Sequence, residues 1–158
     1  MDRVPELYFA FLGILKIGAV AQPLFSAFGD ESLFVRLENA QTRAIITQSK
    51  YLSKIRKIRD ALPYLEFIIV IDQLITKKPE KKEIAFRLED NPSMETIQIF
   101  PTTSESPSVL HYTSGTTGQP KGVQHVHYSL ISQYITTKWV LDLKENDVYW
   151  CNADPGWV

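Results

Sequence analysis

Residues Thr113-Ser114-Gly115-Thr116-Thr117-Gly118-Gln119-Pro120-Lys121-Gly122 gather the chemistry of anion binding into ten consecutive positions. Thr113, Ser114, Thr116 and Thr117 supply hydroxyl donors, Gly115, Gly118 and Gly122 allow close backbone approach, and Lys121 adds a full positive charge. A surface made of donors in this way fits a polyphosphate, and ATP is the ligand it predicts. Two common nucleotide loops are excluded by spacing. A Walker A loop needs Gly-Lys five residues after its first glycine, where Pro120 stands here, and a dinucleotide fingerprint needs Gly-x-Gly-x-x-Gly, whereas these glycines sit at 115, 118 and 122.

The flanking residues decide how the loop is mounted. Val123-Gln124-His125-Val126-His127 is rich in β-branched residues and carries no helical stripe, so the sequence predicts strand, loop, strand, with the loop as a flap between two strands. The first strand begins in Val109 to Tyr112 and the second is Val123 to His127.

Other side chains carry a functional and a plainer reading. His125 and His127 face one way on a strand, but two histidines do not make a metal site and no third ligand accompanies them, so packing and helix capping is their role and no metal site is assigned. His111 has the same packing role. Lys50, Lys54, Arg56, Lys57 and Arg59 place five positive charges in ten residues, which reads as a solvated helix face. Trp157 has a core tryptophan as its plainer reading, level with the functional one given below.

The supporting elements alternate. Pro5 and Glu6 open a helix over about 6–17 that Gly18 ends, apolar on nearly all sides and therefore expected to be buried. A strand over 19–24, a helix over 30–40, a strand over 43–47, a helix over 50–62 stopped by Pro63, and a strand over 67–71 follow. Residues 73–107 are lysine-, glutamate- and proline-rich and read as a long surface connection; a helix over 128–141 and a strand over 147–151 close the chain. This alternation predicts an α/β class, a layered, largely parallel sheet with helices on both faces.

A chain of 158 residues, 44% hydrophobic and 22% charged, has material for one modest core. Net charge of −1 argues against a nucleic-acid partner. The longest apolar run, Leu7 to Leu15, has nine residues, against roughly 20 for a membrane span, and no signal peptide is evident, so neither membrane nor secretion is expected. A single cysteine, Cys151, cannot form an internal disulfide, and a reducing cytoplasm suits it.

Tyr112 to Val123 resembles the AMP-binding signature of the acyl-adenylate-forming superfamily, with every restricted position filled. Lys138-Trp139-Val140-Leu141-Asp142-Leu143-Lys144, Asp147 to Val158, Pro5-Glu6-Leu7-Tyr8 and Gly18 to Phe25 narrow the resemblance to the AMP-forming acetyl-CoA synthetase family, with medium-chain acyl-CoA synthetases as the nearest competitor. The resemblance is weakest over about 73–107. It implies that residues 1–158 are part of the N-terminal domain of that fold: an α/β layer in 1–72, a surface connection in 73–107, and a phosphate-loop and acyl-pocket segment in 108–158. The small C-terminal domain would be absent, and the chain alone would be inactive, with apolar surface on Phe9, Phe11, Phe67 or Trp150 left partly unburied.

For the intact enzyme the resemblance implies activation of acetate or another short carboxylic acid by ATP and Mg²⁺, then transfer to CoA. In that scheme Thr113, Ser114, Thr116 and Thr117, with backbone N–H groups near Gly115 and Gly118, would hold the β- and γ-phosphates, and catalytic Lys121 would neutralise charge on the leaving pyrophosphate. Trp157 and Val158 match the stretch lining the acyl pocket. Arg56 is the closest match to arginines that contact the 3′-phosphate of CoA. Alternatives are a medium-chain or propionyl-CoA synthetase, or the non-catalytic product of a truncated gene. Oligomeric state is not legible.

Overall fold

The computed structural model describes residues 1–72, 80–86, 98–114 and 118–157. Helix α1, Pro5–Lys16, has Pro at its first position, where no N–H is needed, with Glu6 near its positive end and Lys16 near its negative end. It stops in a paired turn: Gly18 N–H donates to Leu15 O and Ala19 N–H to Ile14 O, both at 3.0 Å. Gly18 takes φ +71°, and a Cβ there would lie 2.3 Å from the Phe100 ring, so conformation and contact both require glycine. Helix α2, Asp30–Asn39, ends in the same kind of turn, with Gln41 at φ 50° and Thr42 N–H donating to Leu37 O.

Strand β1, Ala44–Thr47, pairs in parallel with β2, Phe67–Val70, through the crossover helix α3, Leu52–Ile58. A third strand, β3, Glu83–Ala85, adds in parallel to the far side of β2, giving the order β1-β2-β3. Ile68 and Val70 point into a core shared with Leu37 of α2, Leu52, Ile55 and Ile58 of α3, and Leu62 and Leu65 after it. The parallel sheet with helical cover agrees with the expected α/β class. Strands β4, Pro107–Thr113, and β5, Lys121–Val126, form a separate antiparallel pair, followed by α4, Ser129–Val140.

Several elements differ from expectation, each for a physical reason. The strand over 19–24 shrinks to one parallel bridge at Ala21, because Pro23 lacks the N–H a longer ladder needs. The helix over 50–62 is α-helical only in α3, framed by 3₁₀ turns at Ser49–Tyr51 and Arg59–Ala61; Leu62, before Pro63, is extended. The connection over 73–107 contains β3. The strand over 147–151 does not form: no described strand lies beside it, and Val148, Tyr149 and Trp150 are exposed. Helix α1 buries only Leu15. Phe9, Phe67 and Trp150 remain open, Trp150 at 80%, and Phe11 is half-buried. No helix among the described residues is long and apolar enough to cross a membrane.

Strand β3 is held by charge. The Glu83 side chain is 0% exposed and accepts Arg56 Nε at 2.8 Å and Nη2 at 3.0 Å, with Arg59 Nη1 at 3.4 Å. The hydrogen bonds from Arg56 hold its carboxyl below the ordinary glutamate range. Two-point pairing to a guanidinium is strong, and removing one partner leaves charge without its counterpart. Glu83→Ala should therefore cost about 3 kcal/mol, the lower end of the usual range because Glu80 still pairs with both arginines. The depressed folded value means this stabilisation is full above the unfolded glutamate value near ~4.3 and fades as pH falls through the folded one. Denaturant unfolding at neutral and acid pH checks both points: Glu83→Gln should lose that acid limb, and an unchanged pH profile would refute the assignment.

Candidate functional site: the β4–β5 phosphate loop

The loop residues spring from a short hairpin whose last pairs are Tyr112 with Gly122 and Thr113 with Lys121. Residues directly opposite share a face, so Thr113 and Lys121 project from the same side at the mouth. Ser114, Gly118 and Lys121 are exposed. Gly118 adopts φ +84° and has nothing within 4 Å of where a Cβ would be, so its glycine serves backbone conformation in open space. Gly122 differs: a Cβ would approach Leu110 Cδ1 at 3.2 Å and the Tyr112 ring at 3.5 Å. Gly115, Thr116, Thr117 and Val158 lie outside the described residues.

Below the mouth, β4 is bonded along both edges. On one side it meets β5; on the other, Ala21 N–H donates to Ser108 O and Leu110 N–H to Ala21 O, each at 2.8 Å. Ser108 is fully buried and its Oγ donates to His125 O at 3.2 Å beside an irregularity in the pairing between Pro107 and Val109. The Tyr112 hydroxyl, whose pKa burial raises, donates to Asn39 Oδ1 at 2.6 Å. Spacing in the sequence pointed to none of these anchors. A tyrosine directly before the loop was the available signal.

His111 and His125 pack edge to face with ring centres 5.9 Å apart. Burial, with a smaller effect of His125, lowers the His111 pKa, keeping that ring neutral at pH 7. His127 caps α4 only through its backbone oxygen, which accepts from Leu130 N–H; no side chain caps that helix, which corrects the expected capping role. Among the described residues no three His, Cys, Asp or Glu side chains converge as a metal site.

The Asp154-Pro155-Gly156-Trp157 turn docks on the loop at residues 24–28. Asp154 accepts Ser26 Oγ at 3.1 Å and Gly156 N–H at 2.8 Å, and the Trp157 ring stands edge-on to Phe25 at 5.3 Å. Trp157 is 66% exposed among the described residues. Arg56 lies elsewhere, on α3, with Nε and Nη2 on Glu83 and Nη1 on Glu80 at 3.1 Å. An open depression between α2 and α3, lined by Asp30, Phe34 and Lys57 among others, shares no residue with the hairpin.

A Cβ at Gly156 would sit 2.1 Å from Phe25 N and 2.2 Å from Leu24 C, backbone atoms that cannot swing aside. Gly156→Ala should undock the turn and cost about 1–3 kcal/mol, as overpacking does. With Trp139 and Trp150 changed to Phe, the fluorescence anisotropy of Trp157 should fall in the variant; an unchanged value would mean that the turn is not seated on residues 24–28.

The chain is similar to known proteins in sequence and in fold. The whole chain, residues 1–158, matches the AMP-binding enzyme family. Acetyl-coenzyme A synthetase of Bacillus subtilis is 46% identical over all of this chain, and that of Wolinella succinogenes 36%. The chain spans 27% and 26% of the length of those relatives. Among solved structures, an acyl-CoA synthetase of Brucella canis superposes with a TM-score of 0.84 at 26% identity, covering 98% of this chain and 27% of that one. The anthranilate CoA ligase AuaEII, in complex with anthranoyl-AMP, gives 0.71 at 31% identity, covering 84% of this chain and 25% of that one. With that match along its full length and these relatives, the chain belongs to the AMP-binding enzyme family.

Proposed function

We propose that this chain is the phosphate-gripping part of an AMP-forming acetate:CoA ligase. The observation that carries the reading is the hairpin mouth, where Thr113 and Lys121 face the same way at the two roots of a hydroxyl- and glycine-rich loop. In the reaction an acetate oxygen attacks the α-phosphorus of ATP, pyrophosphate leaves, and the thiol of CoA then displaces AMP from acetyl-AMP. Thr113, Ser114, Thr116 and Thr117, with backbone N–H groups near Gly115 and Gly118, hold the β- and γ-phosphates, and Lys121 neutralises charge growing on pyrophosphate. Mg²⁺ accompanies the nucleotide when bound; its ligands are not assigned to this chain.

Trp157 and Val158 border the acyl group, and the open Trp157 ring beside Phe25 supports that placement. A CoA 3′-phosphate at Arg56 would have to draw Nη1 away from Glu80, since Nε and Nη2 stay on buried Glu83. The 46% identity to an acetyl-coenzyme A synthetase favours acetate, and the likeness to an anthranilate ligase makes a different acid the competing reading. A cytoplasmic setting accords with the single, exposed Cys151.

The test is acid-dependent exchange of pyrophosphate into ATP by the full-length enzyme that contains this chain. Acetate should support exchange; exchange with a longer or aromatic acid and not with acetate would move the substrate, and no exchange with any acid would reject the class. Lys121→Ala should slow single-turnover adenylation by about a hundredfold or more while changing acyl-adenylate affinity little, because a cation aimed at the leaving group acts mainly in the transition state. Unchanged adenylation would make Lys121 a surface lysine.

A further inference from the structure

Among the described residues the hairpin shares no ladder with the β1-β2-β3 sheet, so something other than pairing with that sheet must fix where its mouth points. Among the described residues, two hydrogen-bonded links tie β4 to the rest of the α/β layer. One is the Ala21 bridge, which grips the base of β4 around Ser108 to Leu110. Its neighbour Gln22 is fastened to the end of α2, with Nε2 donating to Arg36 O at 3.2 Å and Oε1 accepting Thr42 Oγ1 at 2.9 Å. The other is the hydrogen bond from Tyr112 to Asn39, residues 73 positions apart.

That second contact sits at the mouth. Tyr112 is the last buried residue of β4, and the pair after it, Thr113 with Lys121, opens into the loop. Its cross-strand partner is Gly122, and the Tyr112 ring lies 3.5 Å from the site a Cβ would occupy there. A Cβ there would meet the ring only at ordinary contact distance, so the ring lies over the glycine on its way to α2. Asn39 is the last residue of α2, two residues beyond Leu37, which is packed in the core. The path from core to loop therefore runs Leu37, Asn39, Tyr112, Thr113. Burial raises the Tyr112 pKa, so its hydroxyl stays a donor at neutral pH.

We propose that Tyr112 and Asn39 are positioning residues, a latch that fixes the hairpin mouth to the end of α2 so that Thr113 and Lys121 meet the phosphates at a set place. This rests on the adenylation reading for its purpose, but the latch itself can be tested without activity. Neither residue is required to touch the nucleotide.

The variants are Tyr112→Phe, Asn39→Ala, the double variant, and Asn39→Asp, which keeps an acceptor. Amide hydrogen exchange, followed by mass spectrometry, is compared between peptides covering 108–126 and peptides covering β1 and β2. Each of the first two should raise exchange at the mouth by about fivefold, the change one ordinary hydrogen bond produces, with β1 and β2 unaffected. The double variant should match either single one, because both remove the same bond, and Asn39→Asp should behave as native. In the adenylation assay Tyr112→Phe, Asn39→Ala and the double variant should lower the single-turnover rate by a similar factor, leaving the KM of the acid unchanged, and Asn39→Asp should keep the native rate. Exchange unchanged at the mouth, exchange rising equally in every peptide, or effects that sum in the double variant would overturn the latch. An inactive native enzyme would reject the adenylation reading, and the exchange measurements would still decide the latch.

Discussion

Strand β4 takes backbone hydrogen bonds along both edges, from β5 on one side and from Ala21 on the other, and the loop chemistry depends on that fixed strand. Buried backbone groups must find partners, and here the partners come from a residue near α1 and from the strand beyond the loop. The segment after α1 is therefore a strut. Gly18 turns it off the helix, Ala21 spans the hairpin base, and Gln22 ties it to α2. A loop of small polar residues has little apolar area with which to order itself, so the order of its two roots comes from this frame.

At β3 charge performs what apolar packing performs in the core. Ile68 and Val70 seal β2 against α2 and α3, whereas three-residue β3 has little to bury and is held by Glu83 between Arg56 and Arg59. A basic helix face that looks free for an anionic ligand is thus partly committed to the fold. Lys57 is likewise paired, with Asp30 at 3.1 Å, and Lys54 donates to Phe28 O at 2.9 Å. The hairpin mouth differs: Lys121 is exposed beside hydroxyls and an open-space glycine.

Local features were legible in the sequence and distant ones were not. The strand, loop, strand arrangement follows from β-branched residues on both sides of a glycine-rich run, and it is what β4 and β5 show. Helices α1, α2 and α4 follow from periodicity and end signals within a few residues of where they lie. Strand β3 was hidden because burial of Glu83 depends on arginines 24 and 27 positions away. The apolar run Val148-Tyr149-Trp150 imitated a strand, but a strand exists only beside another, and none is described there. Tyr112 belongs to the signature, but its hydrogen-bond partner Asn39 lies 73 positions away and no local pattern points to it. Likewise, nothing local reveals that Gly156 is small because the backbone of Leu24 and Phe25 passes against it.

The frame acquires its meaning from what the loop holds. If Lys121 faces the departing phosphates, bound nucleotide must shield its amine, while lysines away from the hairpin stay open. Competitive acylation of lysine amines with and without MgATP, read position by position by mass spectrometry, measures this directly. MgATP should slow modification of Lys121 by about tenfold or more and leave exposed Lys144, paired with Asp142, unchanged. Equal modification of Lys121 in the two conditions, at nucleotide concentrations that saturate exchange, would contradict it.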